Sequence, residues 1–289
     1  MKTAIITDTN SGITPAQAEE MGIFLLPMPV IIDGNVRFEG IDLTEEEFYA
    51  CLKGGKDIST SQPSPGDVME LWDKILRSGY DEIVHIPMSS GLSASCGTAI
   101  SLAEDYDGKV MVVDNHRISI TMRASVIEAK EMADQGLSAR EIKEDLEARA
   151  YDSSIYLAVD TLEFLKKGGR VTPAAAALGT VLNIKPVLTI QGGKLDAFAK
   201  FRGMKKCKTK MIESLLNDYR TRFANADISQ VRVGTAGAGL SPEKAEEWRQ
   251  ELTAAFPGVD VYYDPLSLSV GAHTGPGVYG MGISIVKSK

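Results

Sequence analysis

Glu82-Ile83-Val84-His85-Ile86 is the run on which the fold turns: it is short, apolar and rich in β-branched residues, the marks of a strand. Ala4-Ile5-Ile6 upstream and Val110-Met111-Val112-Val113 downstream repeat the pattern, and helix-like segments separate all three. That rhythm predicts parallel strands joined by helical crossovers. The intervening helices carry readable starts. Thr44 with Glu47, Ser64 followed by Pro65, and Ser138 with Glu141 all have the form of N-terminal caps. Residues 1–153 therefore read as a doubly wound α/β domain.

The second half changes character. Ile155-Tyr156-Leu157-Ala158-Val159 predicts a strand, followed by a short helix ending at Lys166-Lys167-Gly168-Gly169. Pro186 to Ile190, the Gly192-Gly193 pair and the segment through Phe198 to Phe201 predict a hairpin. Helices are expected at about 203–224 and 241–255, with strands near 230–235, 259–263 and 278–286. Residues 154–289 thus form an α+β domain, and the fold class is α/β, a parallel-sheet N-terminal domain joined to an α+β C-terminal one.

At 289 residues and 44% hydrophobic content, the chain has enough material for a substantial core. A net charge of −8 argues against a nucleic-acid partner, yet the charge is uneven. Residues 1–64 hold ten acidic and four basic side chains, net −6, whereas residues 166–210 hold eleven basic and one acidic, net +10. Cys51, Cys96 and Cys207 are odd in number and widely spaced, which suggests neither a disulfide framework nor a metal site and fits a reducing cytoplasm. The apolar run before Asp8 is too short for a signal sequence, and the apolar stretch 174–190 is broken by Lys185-Pro186, so no membrane span is expected.

Ligands of open parallel sheets sit beyond the carboxyl ends of the strands, where Asp8, Ser89 and Asp114 fall. Ser89-Ser90-Gly91-Leu92-Ser93 has an ordinary explanation, a serine capping the next helix, and the same helix end can also hold an anion. Thr60-Ser61-Gln62-Pro63-Ser64 similarly reads as a bend and a cap. Gly168-Gly169 reads as a helix end, which leaves Arg170 free to orient a carboxylate or phosphate through its planar fork. His273-Thr274-Gly275-Pro276-Gly277 places an imidazole in a turn before the last strand. Gly234 to Gly239 does not match the dinucleotide fingerprint and reads as a turn, and no triphosphate loop motif occurs, so no cofactor is implied. His85 and His116 read as structural or surface residues. Ser93 and His273, with Asp8 or Asp114, also permit a serine acyl-ester hydrolase, although Gly91-Leu92-Ser93-Ala94-Ser95 lacks the second glycine of a nucleophile elbow.

Taken in order, Thr60-Ser61-Gln62-Pro63, Ser89-Ser90-Gly91-Leu92-Ser93, Leu165-Lys166-Lys167-Gly168-Gly169-Arg170, Lys185-Pro186-Val187-Leu188 and His273-Thr274-Gly275-Pro276-Gly277 resemble the DegV family almost end to end. These are bacterial fatty-acid-binding proteins that present an acyl chain to a separate, ATP-holding fatty-acid kinase, whose acyl phosphate feeds phospholipid synthesis. The resemblance implies a non-enzymatic, lipid-presenting subunit with its cleft between or beside the two domains. It implies that Thr60, Ser93 and His273 contact the carboxylate, directly or through water, with Ser61 beside them and Arg170 near the head group on the kinase-facing side. The chain departs from the family pattern at Asp8-Thr9-Asn10-Ser11-Gly12-Ile13 and at Ser93-Ala94-Ser95, departures that bear on acyl preference more than on ligand class, and also at Asp114-Asn115-His116. The basic residues from Lys166 to Lys210 are a candidate docking face, and a binding module for another anionic lipid or small carboxylate shares the same pocket logic.

Overall fold

The computed structural model describes residues 2–178 and 184–287. Its first half contains strands β1 (Thr3–Asp8), β2 (Phe24–Leu26), β3 (Pro29–Ile32), β4 (Asn35–Phe38), β5 (Ile58–Thr60), β6 (Glu82–Ile86) and β7 (Val110–Val112). The helices among them are α1 (Pro15–Met21), α2 (Glu45–Lys53), α3 (Pro65–Arg77), α4 (Ser95–Ala103), α5 (Ser119–Asp134) and α6 (Ala139–Ala148). The second half holds β8 (Ser153–Ala158), α7 (Glu163–Gly168), α8 (Pro173–Ala176), β9 (Ile184–Ile190), β10 (Asp196–Arg202) and α9 (Met204–Thr221). It continues through β11 (Val231–Ala238), α10 (Pro242–Ala255), β12 (Val261–Pro265), α11 (Leu268–Thr274) and β13 (Val278–Ile285).

The three apolar runs are neighbours in a parallel sheet ordered β2-β1-β6-β7. Helices cover both faces, which is why the strands carry unbroken apolar sequence rather than alternation. On one face Ile5, Val84 and Ile86 pack with Val126 of α5 and Ile142 of α6; on the other Ile6 and Ile83 pack with Trp72 and Ile75 of α3. The doubly wound arrangement is as expected. Thr44/Glu47 and Ser138/Glu141 form reciprocal capping boxes, and Ser64 accepts from the Asp67 N–H with Pro65 in the first helical position.

One part of the first half departs from that rhythm. Strands β4-β3-β5 form a small antiparallel sheet, turned by Asp33-Gly34 with φ of 49° and 82°. An Asp-Gly pair is the residue combination that suits a two-residue hairpin turn, because both positions need positive φ. This sheet ends at Thr60.

The second half is built on one mixed sheet, β10-β9-β8-β13-β11-β12, in which β11 and β12 run parallel and the other pairs antiparallel. Its strands alternate. Tyr156, Ala158, Val233, Met281 and Ile283 meet Met211, Leu215 and Trp248 of α9 and α10, while Ile155, Leu157, Ala236 and Val278 face the opposite way, toward the first half. The expected β9–β10 hairpin is present, with a bulge between Ala197 and Ala199. Residues 234–239 correct the turn reading: Gly234 and Gly237 lie inside β11, and only Gly239, at φ 59°, lies beyond it. A Cβ on Gly234 would come within 2.8 Å of the Tyr262 ring, so glycine serves side-chain packing across the strand there. Among the described residues no helix is long and apolar enough to cross a membrane; residues 179–183 of the apolar stretch 174–190 lie outside them.

Candidate functional site

From β1 the chain steps to β2 on one side of the parallel sheet and later to β6 on the other, so the loops after β1 and β6 part at its switch point. Asp8 ties them together. Its carboxylate accepts from the Asn10 N–H and the Met88 N–H, each at 2.9 Å. Burial pushes this carboxyl up to about 6, while the two backbone donors pull it down.

Beyond Met88 the serine-rich segment makes one tight turn, with the N–H groups of Leu92 and Ser93 donating to Ser89 O at 3.0 and 3.2 Å. Ser89 Oγ donates to Gly192 O at 2.6 Å in the β9–β10 hairpin turn, so the segment bridges the two halves. A Cβ on Gly91 would lie 2.5 Å from that same carbonyl, and glycine is therefore required there. Neither Ser89 nor Ser90 caps a helix: α4 starts at Ser95 behind Ala94, without a side-chain cap. Ser89 is held by the hairpin instead, and Ser93 Oγ accepts from the Ser95 N–H at 3.2 Å.

Opposite this loop, Thr60 ends β5 and His273 sits in the last turn of α11, not in the turn that follows it. The sequence distance of 213 residues closes to 2.8 Å between Thr60 Oγ1 and His273 Nε2. Burial, and secondarily the charge of Arg170, pushes the imidazole down to about 4, so it is neutral at pH 7. Helix α7 presses on its other nitrogen, where a Cβ on Gly168 would collide with Nδ1. Gly169, at φ 69°, ends that helix and turns the chain to Arg170. Arg170 then spans the site, donating from Nε to Leu92 O at 3.3 Å and from Nη1 to Gly168 O. Its Nη2 has no partner among the described residues.

Thr60, Ser61, Ser93, Arg170 and His273 all line one cavity of about 440 Å³, within the range of small-molecule sites. Its remaining wall is mostly apolar: Ile155, Leu157, Ile190, Ala236 and Gly280 come from the six-stranded sheet, and Ile120 from the start of α5. Sequence reasoning passed over the polar members Asn10, Thr98, Ser119 and Ser269, of which Asn10 and Ser269 are joined. Asn10 Oδ1 accepts from Ser267 Oγ at 2.7 Å and also from Ser269 Oγ, which holds the β1 loop against α11. Asn10 and Ser269 had a signal, since Asn10 lies two residues beyond a strand's carboxyl end and Ser269 lies one helical turn before His273. Gln62 and Thr98 also line the cavity, joined by a 3.1 Å hydrogen bond.

The hydrolase constellation is not assembled. Asp8 is committed to Met88 and Asn10, Asp114 Oδ1 accepts from Ser90 N at 3.3 Å and pairs with His116, and among the described residues no carboxylate bonds to His273. Without one, nothing orients the imidazole or stabilises it once protonated. His85 is buried edge-on against Trp72, and His116 stacks on Tyr151. Among the described residues no group of three or more His, Cys, Asp or Glu is arranged to hold a metal ion. In the basic band, Lys167 pairs with Asp57, Lys185 with Asp160 and Lys208 with Glu251, while Lys166, Lys200, Lys205 and Lys206 are exposed.

Comparison with known proteins bears on the whole chain. A family model described as "Uncharacterised protein, DegV family" matches residues 2–286. A DegV domain-containing protein of Deinococcus radiodurans is 31% identical over 287 residues, covering 98% of each chain. Among solved structures, a DegV family protein of Thermus thermophilus, described for its fatty acid binding, superposes with a TM-score of 0.87 at 30% identity, over 99% of this chain and 100% of that one. DegV of Bacillus subtilis, described as a fatty acid binding protein, gives a TM-score of 0.85 at 27% identity over 99% of both chains.

Proposed function

The chain belongs to the DegV family, and from that premise we propose that it binds a long-chain fatty acid and presents the carboxylate to a separate ATP-dependent fatty-acid kinase for acyl-phosphate formation. One observation carries the reading: polar side chains from four separate stretches, at Thr60 and Ser61, Ser93, Arg170 and His273, converge on a single cavity whose remaining wall is mostly apolar. That is the distribution an amphiphile with one charged end requires. The solved relatives described as fatty-acid binding share the fold over nearly the whole chain.

Each buried methylene contributes about 0.8 kcal/mol, so a sixteen-carbon tail supplies on the order of 10 kcal/mol before ordering costs. The tail dominates affinity. A carboxylate leaving water must recover its hydrogen bonds, each worth roughly 1.5–3 kcal/mol to a charged group, so the head-group donors mainly offset desolvation and set register. In the tautomer protonated at Nε2, His273 donates to Thr60 Oγ1, and the threonine hydroxyl proton is then free for the ligand. Ser61, Ser93 and the Nη2 of Arg170, unpartnered among the described residues, are the further donors of this reading. The two domains, 1–153 and 154–289, act as the jaws of the cleft, and the exposed lysines between Lys166 and Lys206 are the face offered to the kinase.

Native mass spectrometry of protein purified without added lipid tests the ligand claim. A fatty acid should co-purify or load on addition, and a cleft that stays empty under both conditions refutes it. For the kinase step, a fatty-acid kinase with ATP should phosphorylate the bound acid only when this chain is present. Equal turnover on free fatty acid would remove the presenting role.

A further inference from the structure

Four small residues meet at the centre of the six-stranded sheet, on the face turned toward the cavity. Gly280 and Gly282 of β13 pair with Ala236 and Gly234 of β11, and on the other side with Leu157 and Ile155 of β8. Two cross-strand rows result, Leu157–Gly280–Ala236 and Ile155–Gly282–Gly234.

The rows differ in what covers them. In the second, Ile120 fills the space: a Cβ on Gly234 or Gly282 would meet its side chain at 3.1 Å, and one on Gly282 would also lie 2.9 Å from Ser154 O. Those glycines are needed for packing. In the first row Gly280 has no such neighbour. Its nearest atoms to an added Cβ are Ala236 Cβ at 3.6 Å, Ala236 O at 3.7 Å and Leu157 Cβ at 4.0 Å, which is ordinary contact distance, and its φ is not in the left-handed region. Neither sterics nor backbone conformation demands glycine here. Yet Gly280, Ala236, Leu157 and Ile120 all line the cavity, and Trp248 Nε1 donates to Gly280 O at 2.8 Å, fixing this part of β13 from the opposite face. A side chain at position 280 would thus fit at ordinary contact distance, on a stretch of cavity wall that Leu157, Ala236 and Ile120 also line.

We infer that Gly280, with Ala236 beside it, is the chain-length determinant of the ligand: the acyl tail lies against these small residues, where larger side chains would project into the cavity. The inference rests on the fatty-acid reading above and adds to it the residue that decides how much tail is admitted. Replacing Gly280 by leucine puts four carbons into the space of the tail, and each methylene no longer buried costs roughly fourfold in affinity.

The test is a binding series of saturated fatty acids from ten to eighteen carbons against the wild-type chain, Gly280→Ala, Gly280→Leu and Ala236→Leu, with thermal unfolding as the folding control. The expected result is a graded shift. Gly280→Leu should weaken sixteen- and eighteen-carbon acids by about a hundredfold while leaving ten- and twelve-carbon acids within about threefold of wild type. Gly280→Ala should fold normally and show the same trend at smaller size, and Ala236→Leu should reproduce it from the adjacent strand. Folded variants whose affinities fall equally at all lengths, or do not fall at all, overturn the inference while leaving fatty-acid binding intact. A wild-type chain that binds no acid in the series fails the underlying reading instead, so the two failures are distinguishable.

Discussion

Replacing Thr60 by valine keeps the shape of the side chain and removes one hydroxyl, and it probes the Thr60–His273 contact on which the proposed head-group site rests. In the free protein the change breaks the 2.8 Å hydrogen bond to His273 and leaves a largely buried imidazole nitrogen without a partner. Loss of one neutral hydrogen bond amounts to about 1 kcal/mol, so the fold should survive with a lowered unfolding temperature. In the complex the ligand carboxylate loses a donor, and a hydrogen bond to a charged group contributes roughly 1.5–3 kcal/mol, which corresponds to affinity weakened about 10- to 150-fold. Titration calorimetry or displacement of a fluorescent fatty acid at pH 7.5 reads this directly. The loss should be the same for fourteen-, sixteen- and eighteen-carbon acids, because the head group contributes a constant and the tail contributes per methylene. His273→Phe should weaken binding comparably, and the double variant should be no worse than the more damaging single change, since the two side chains act as one hydrogen-bonded unit. Affinity within twofold of wild type for Thr60→Val, or strictly additive losses in the cycle, would refute the reasoning.

Three further outcomes follow from the same geometry. The His273 ring, held near 4 rather than 6.5, should stay neutral in the free protein down to about pH 5 by NMR, and its burial removes stability as the pH falls from 6.5 toward 4, because the unfolded chain protonates first; a midpoint near 6.5 would contradict it. Asp8 has the opposite sign, since its raised value of about 6 removes stability as the pH rises from 3.8 through 6, and Asp8→Asn should flatten that part of the unfolding profile. Gly168→Ala should displace the imidazole, because the new methyl meets Nδ1, and weaken fatty-acid binding more than it lowers the unfolding temperature; unchanged affinity would mean that His273 has no fixed position in the site.

Much of the fold is visible in local pattern. The strands Ala4-Ile5-Ile6 and Glu82 to Ile86 announce burial on both faces through composition alone, and the caps at Thr44, Ser64 and Ser138 satisfy helix ends with residues only three positions apart. The small sheet of β3, β4 and β5 went unread, because strands of three or four residues carry too little periodicity to announce themselves; its one local signal is the Asp33-Gly34 turn. Among the candidate site residues, Arg170 stood out because the helix-ending glycines beside it already explained the neighbouring lysines. Asn10 and Ser269 did not, since position past a strand end or one turn before His273 is shared by many surface polar residues; their bond to each other spans 259 positions.

From the sequence alone came the strands at Ala4-Ile5-Ile6, 82–86 and 110–113 with their parallel character, most strands and the two long helices of the second half, and the small set of hydroxyl, imidazole and guanidinium groups able to meet an anion. Each of these depends on residues within one turn or one strand of each other. The tertiary structure decided which of those groups share a cavity, that His273 is neutral and bonded to Thr60, that Ser89 holds a hairpin rather than a helix end, and that an added Cβ is accommodated at Gly280 but not at Gly282. Those outcomes depend on desolvation and on contacts between segments up to hundreds of residues apart, and both quantities come into existence only when the three sheets and their helices pack together.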